Sequence, residues 1–166
     1  MAAYVKLLPH FVRGKRPVSS AVYGTVSVVA IVAVAAHETS SAARVLAFAS
    51  VSMSVIWAVH VYAFALEHRC AKDLAWRGAL ALALREELGV IEGALAPILV
   101  LLLGVLGVIA DERAIAGSMW CGVVLLTLMP FVWLRRSGSS LWECLVAAVV
   151  AGLLGLVLIL FKVISH

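Results

Sequence analysis

Five long apolar runs, separated by short polar stretches, organise this chain. A helix needs roughly 20 residues to cross a bilayer, so the runs predict transmembrane helices over 17–36, 42–66, 93–110, 116–134 and 141–163. Pro17 suits the first turn of the first helix, and the polar loop from His37 to Ser41 closes it. Residues 1–16 set Lys6, Arg13, Lys15 and Arg16 among Tyr4, Leu7, Leu8, Phe11 and Val12, the composition of a segment lying on the membrane surface. The interval 67–92 repeats Leu74, Ala75, Gly78, Ala81, Leu82, Arg85 and Leu88 at helical spacing among charges. It predicts one amphipathic helix on the cytoplasmic face, too charged to cross. The expected fold is therefore a single all-α integral membrane domain of two plus three spans, with that amphipathic helix between them.

Composition supports the bilayer as solvent. Of 166 residues 64% are hydrophobic, and the mean hydropathy of +1.12 would leave a water-soluble domain of this size coated in apolar surface. The charges then orient the spans. The N-terminal tail carries four Lys or Arg, the interval after span two carries Arg69, Lys72, Arg77 and Arg85, and Arg135 and Arg136 follow span four. The other two loops hold at most one Arg each. Positive residues on one side predict a cytoplasmic N-terminus and, for five spans, a C-terminus on the far side. These clusters suit topology and anionic lipid, not nucleic acid. The first apolar run has no small-residue cleavage pattern and reads as a helix, not a removed signal. Three cysteines in no CxxC spacing form neither a disulfide framework nor a zinc site.

Polar side chains inside hydrocarbon are costly, so the few that occur are the candidates for function. Met53, Trp57, His60, Phe64 and Glu67 follow one another at i, i+4, i+7, i+11 and i+14, one face of span two, with Ser50 and Ser54 beside the stripe. A neutral imidazole binds transition metals or passes a proton, and Met53 and Glu67 flank His60 with a soft and a hard ligand. The competing reading is a helix contact made by His60, with Trp57 and Tyr62 in an interfacial belt. Span one offers Ser20, Tyr23, Gly24 and Ser27 as a hydroxyl-bearing face against span two. Gly104 with Gly107, and Gly152 with Gly155, read as points of close helix approach. Glu86, Glu87 and Glu92 gather at the end of the amphipathic interval, where they sample cations or form a solvated face. His37–Glu38, Asp111–Glu112 and Glu143 read as solvated loop ends. There is no phosphate loop, no HExxH, no nucleophile elbow and no paired intramembrane carboxylates, so an enzyme is not expected.

The plan of two spans, a cytoplasmic insertion and three spans resembles the vacuolar iron transporter family. The stretch from Ala21 through Tyr23 and Gly24 to Ala30 is similar to that family's Asn-Asp-Gly-Leu-Val-Ser opening, and Ser52-Met53 is similar to its Ser-Met-Ala-x-Gly-Glu-Tyr. Glu87-Leu88-Gly89 with Pro97, and Arg135-Arg136 through Gly155, resemble the start of its third span and its closing helix. The resemblance implies a homodimer that exchanges divalent ions for protons, with Met53 in the path. Tyr23 and Trp57 stand where the family carries intramembrane carboxylates, and the family's long metal-binding insertion is reduced to about 25 residues. The sequence thus leads to a cation transporter, metal- or proton-coupled, with a path lined by Tyr23, Met53, Trp57, His60 and Glu67. Its tentative metal ligands are His60, Met53, Glu67, Glu86 and Glu87, with a divalent ion as substrate and no resident cofactor. The alternative is a membrane scaffold or accessory subunit that acts through helix contacts.

Overall fold

A computed structural model describes residues 18–72 and 75–164, and the surface segment expected over 1–16 lies outside them. Every described element is an α-helix: α1 (Val18–Glu38), α2 (Ala42–Lys72), α3 (Trp76–Glu86), α4 (Leu88–Val105), α5 (Asp111–Arg136) and α6 (Leu141–Ile164). Four helical stretches are long and apolar enough to cross a membrane, Ser19–Glu38, Ala42–Cys70, Trp76–Val105 and Asp111–Arg136. In α6 the apolar stretch described to the side chain is Leu141–Val157.

Helix α1 is the central element. Half of its apolar window is buried, against 22% of that of α2, and it packs on α2, α4, α5 and α6. Its Val28, Val29 and Val32 join Val45 and Met53 of α2, Val90 and Leu101 of α4, and Ile115 and Met119 of α5 in one core. Leucines and valines of α2, α4 and α6, such as Val51, Val55, Leu95, Leu99, Leu153 and Leu154, are left on the outside, where lipid removes the cost of exposing them.

Small residues decide how α1 meets α4. A Cβ on Gly24 would run into the carbonyl of Val90, and one on Gly93 into the carbonyl of Ala21, so the two backbones touch. The Thr25 hydroxyl lies 2.9 Å from the carbonyl oxygens of both Ala21 and Gly93 and shares its one proton between the two helices. Gly89, four residues before Gly93, sits over Ser20. Ser20 and Gly24 of the face expected to lie against span two therefore belong to the seam with α4, while Tyr23 does meet α2.

The amphipathic interval 67–92 is not one helix. Its first part prolongs α2 to Lys72, its middle is α3, and its last residues open α4, which starts five residues earlier than the apolar run suggested. The face by which α3 meets α2 is not the amphipathic stripe, which stays on the outside of the bundle. Ala79 and Ala83 pack on Val61 and Ala65 of α2, whereas Gly78, Ala81 and Arg85 are exposed. Alanine faces let two helices approach closely, and the bulkier Leu84 stays outside. Tyr62 and Trp76 meet edge to face at 6.3 Å and pin the start of α3 to α2.

Helix ends account for several residues that looked chemical. The Asp111 carboxylate accepts the backbone N–H of Ala42 at 3.0 Å, so it caps α2. Ser140 and Glu143 form a reciprocal capping box, the Glu143 carboxylate accepting from Ser140 N at 2.9 Å and the Ser140 hydroxyl from Glu143 N at 3.3 Å. Gly107 and Gly138 adopt φ of 73° and 82° just past α4 and α5. There Val108 N reaches Leu103 O and Ser139 N reaches Leu134 O, the left-handed stop that glycine makes without strain. Gly107 is thus a helix stop and not a packing point, while Gly104 lies against Ala42 and Ala114. Pro97 and Pro130 both sit inside helices.

Gly24→Ala and Gly93→Ala are each expected to destabilise the detergent-solubilised protein by about 1–3 kcal/mol, because a backbone carbonyl must give way. At Gly78 of α3 a Cβ meets open space, so Gly78→Ala should leave stability unchanged or raise it by up to about 1 kcal/mol. Thermal unfolding of the three variants beside wild type checks both halves, and equal losses at all three positions would contradict the seam.

Candidate functional site

At a rise of about 1.5 Å per residue, His60 lies about 27 Å along α2 from its start at Ala42. Tyr23 lies about 22 Å back from the adjoining end of α1 at Glu38. The two antiparallel helices therefore bring Tyr23 and His60 to nearly the same level, near the end of the bundle where α2 overshoots into its hairpin with α3. Their rings stack at 4.6 Å between centroids, tilted by 41°. The third member is Glu87, the single residue between α3 and α4.

Glu87 is 6% exposed, and its Oε2 lies 3.4 Å from Nδ1 of His60. That distance suits an ion pair, while the angles fall outside those of a hydrogen bond, and Oε2 has no hydrogen-bond partner. The carboxylate is not used for capping either, since α4 begins without a side-chain cap. The backbone of Glu87 is held from both sides, its N–H bonding to Ala83 O at 2.9 Å and its carbonyl accepting Val90 N–H at 3.1 Å. The cluster thus sets a buried carboxylate beside a half-buried imidazole, which stacks on a phenol ring, a set of groups with the chemistry to bind a cation.

The residues of the span-two stripe fall into different places. Met53 is buried in the core, and with Trp57 it lines a groove between α2 and α4 of about 340 Å³, together with Ser54, Ile91, Ala94 and Leu95. Trp57 Nε1 is buried without a hydrogen-bond partner. Glu67 is exposed on the overshooting part of α2, two turns past His60. Glu86 is half-buried at the end of α3. Of the five candidate ligands, His60 and Glu87 are brought together, and among the described residues no group of three or more His, Cys, Asp or Glu side chains is arranged to hold a metal ion. Asp111 and Glu143 serve helix starts elsewhere.

Two features escaped the sequence reading. Gly89 and Gly93 form a G-x-x-x-G spacing at the start of an apolar run, a pattern that signals close helix approach and was there to be read. The pairing of His60 with Glu87 carries no such signal, because it joins residues 27 positions apart through a turn whose place depends on where α3 ends.

No family model, curated protein or solved structure matches this chain.

The contact between His60 and Glu87 predicts non-additive stabilities. In a double-mutant cycle of His60→Ala and Glu87→Gln, followed by thermal unfolding, the coupling should be about 0.5–3 kcal/mol. Losses that simply add would remove the pair as an interacting unit.

Proposed function

We propose that this chain is a multi-pass membrane transporter that exchanges a cation for a proton at the Tyr23–His60–Glu87 cluster. The observation that carries the reading is the Glu87 carboxylate, buried at a helix joint, paired with His60 and spent on no cap. Burial of a charge that stabilises nothing else is costly, and inside a membrane protein such a group is a functional candidate by default. Proton and cation compete for the same carboxylate, so each arrival displaces the other and the exchange needs no second anion. The position of the cluster near one end of the bundle makes it reachable from the side that holds the α2–α3 hairpin.

The five-span arrangement, with α6 as the fifth span and the N-terminus in the cytoplasm, belongs to this proposal, as does the homodimer that the resemblance to the vacuolar iron transporters implies. Support for the orientation comes from the basic residues, since Arg77 and Arg85 of the hairpin and Arg135 and Arg136 at the end of α5 would then share the cytoplasmic side.

Labelling of single cysteines placed at Ser137 and Ser165 should reach the two positions from opposite sides of the membrane, and labelling of both from one side would remove the fifth span. In proteoliposomes, cation-driven proton flux should fall at least tenfold in His60→Ala and in Glu87→Gln, while Glu67→Gln, whose carboxylate is exposed, stays near wild type. Absence of flux in the wild type across iron, manganese, zinc and organic cations would point instead to a scaffold acting through helix contacts.

A further inference from the structure

Resting on that exchange reading, we infer that the cation is an apolar amine in its protonated form, carrying one hydrogen-bond acceptor, that is admitted from the groove between α2 and α4. The groove holds about 340 Å³, within the range of roughly 300–1,000 Å³ that suits small organic molecules. Its walls are apolar, with Met53, Ile91, Ala94 and Leu95 among them. It adjoins the cluster on both sides, for Trp57 lies three residues before His60 on α2, and Ile91 lies four residues after Glu87, one turn into α4.

Two orphaned polar atoms define what the occupant must offer. The Trp57 indole N–H is a buried donor without an acceptor, and Glu87 Oε2 is a buried acceptor without a hydrogen-bond donor. A buried polar atom left unpaired costs about 1–3 kcal/mol, so a ligand that satisfies both gains from each. A protonated amine donates its N–H to Oε2, a carbonyl or ether oxygen accepts from the indole, and the hydrocarbon body fills the groove. A hydrated metal ion makes no use of the indole N–H or of the apolar walls. The ring faces of Trp57 and Tyr23 add the attraction of aromatic rings for a positive charge. The exchange balances. The protonated pair loses one proton to water, the carboxylate takes up one ammonium, and the charge of the site is unchanged.

Dibucaine, which combines a tertiary amine, an amide carbonyl and an apolar body, is the probe. Equilibrium dialysis against the detergent-solubilised full chain should show saturable binding of about one molecule per chain, with one proton released on binding in weak buffer. Glu87→Gln should weaken binding at least tenfold, Trp57→Phe should weaken it about threefold to tenfold without lowering the unfolding temperature, and Gly78→Ala should bind as wild type does. Ala58→Trp, which fills an exposed wall of the groove, should abolish binding in a protein that still unfolds at the wild-type temperature. Binding equal in wild type and Glu87→Gln would mean partition into an apolar surface and would overturn the inference. Failure of dibucaine to bind while inorganic cations still drive proton flux that depends on His60 and Glu87 overturns the amine alone. Failure of binding and of all flux overturns the exchange reading as well.

Discussion

The touching backbones of α1 and α4 are what the remainder of the bundle depends on. With carbonyl of Val90 against Gly24 and carbonyl of Ala21 against Gly93, no side chain separates the helices there, and a single hydroxyl, that of Thr25, locks their register. Helices in lipid gain little from hiding apolar surface from one another, since the tails around them are just as apolar. Dispersion across a close seam and one shared hydrogen bond therefore take over the part that hydrophobic burial has in water. Because α1 lies at the centre, the seam also sets where α2 and α5 can pack, and the valine and methionine core forms around it.

The cluster follows from that seam. Tyr23 precedes Gly24 directly, and Glu87 stands two residues before Gly89, so the contact that joins the helices also delivers a phenol and a carboxylate to one end of them. His60 comes from the third direction, on a helix too long to end where its neighbours end. A carboxylate in the middle of a transmembrane helix would have to displace packing on every side. At a joint between two helices it can be both buried and reachable, which is the combination that exchange requires.

Hydropathy made the all-helical class and most helix positions legible, because 18 or more apolar residues in a row leave few alternatives to a helix long enough to span. Periodicity also pointed to the His60 face of span two, but its residues do not stay together in the fold, with Met53 in the core and Glu67 exposed. What stayed hidden was the place of the break between the surface helix and the third span. The sequence puts it after residue 92, where the apolar run begins, whereas the turn lies at Glu87, with no glycine or proline there to mark it. The alanines by which α3 meets α2 were not singled out either, because Ala79 and Ala83 lie beside the amphipathic stripe and small residues carry a weak periodic signal. Asp111 looked like a loop acid because a cap that crosses to another helix shows only when the backbone is in place, whereas the Ser140–Glu143 capping box ahead of an apolar run was there to be read.

The alanine face of α3 also governs how firmly that helix is held. Ala79 and Ala83 meet Val61 and Ala65 with Leu80, Trp57 and Phe64 packed around them, and the Tyr62–Trp76 contact closes the outer end. Helix α3 is also the helix whose last turn holds the backbone of Glu87. The docking of α3 on α2 therefore helps to fix where Glu87 stands, while Gly89 and Gly93 fasten α4 to α1, so the carboxylate sits on the boundary between two helix contacts of different kind.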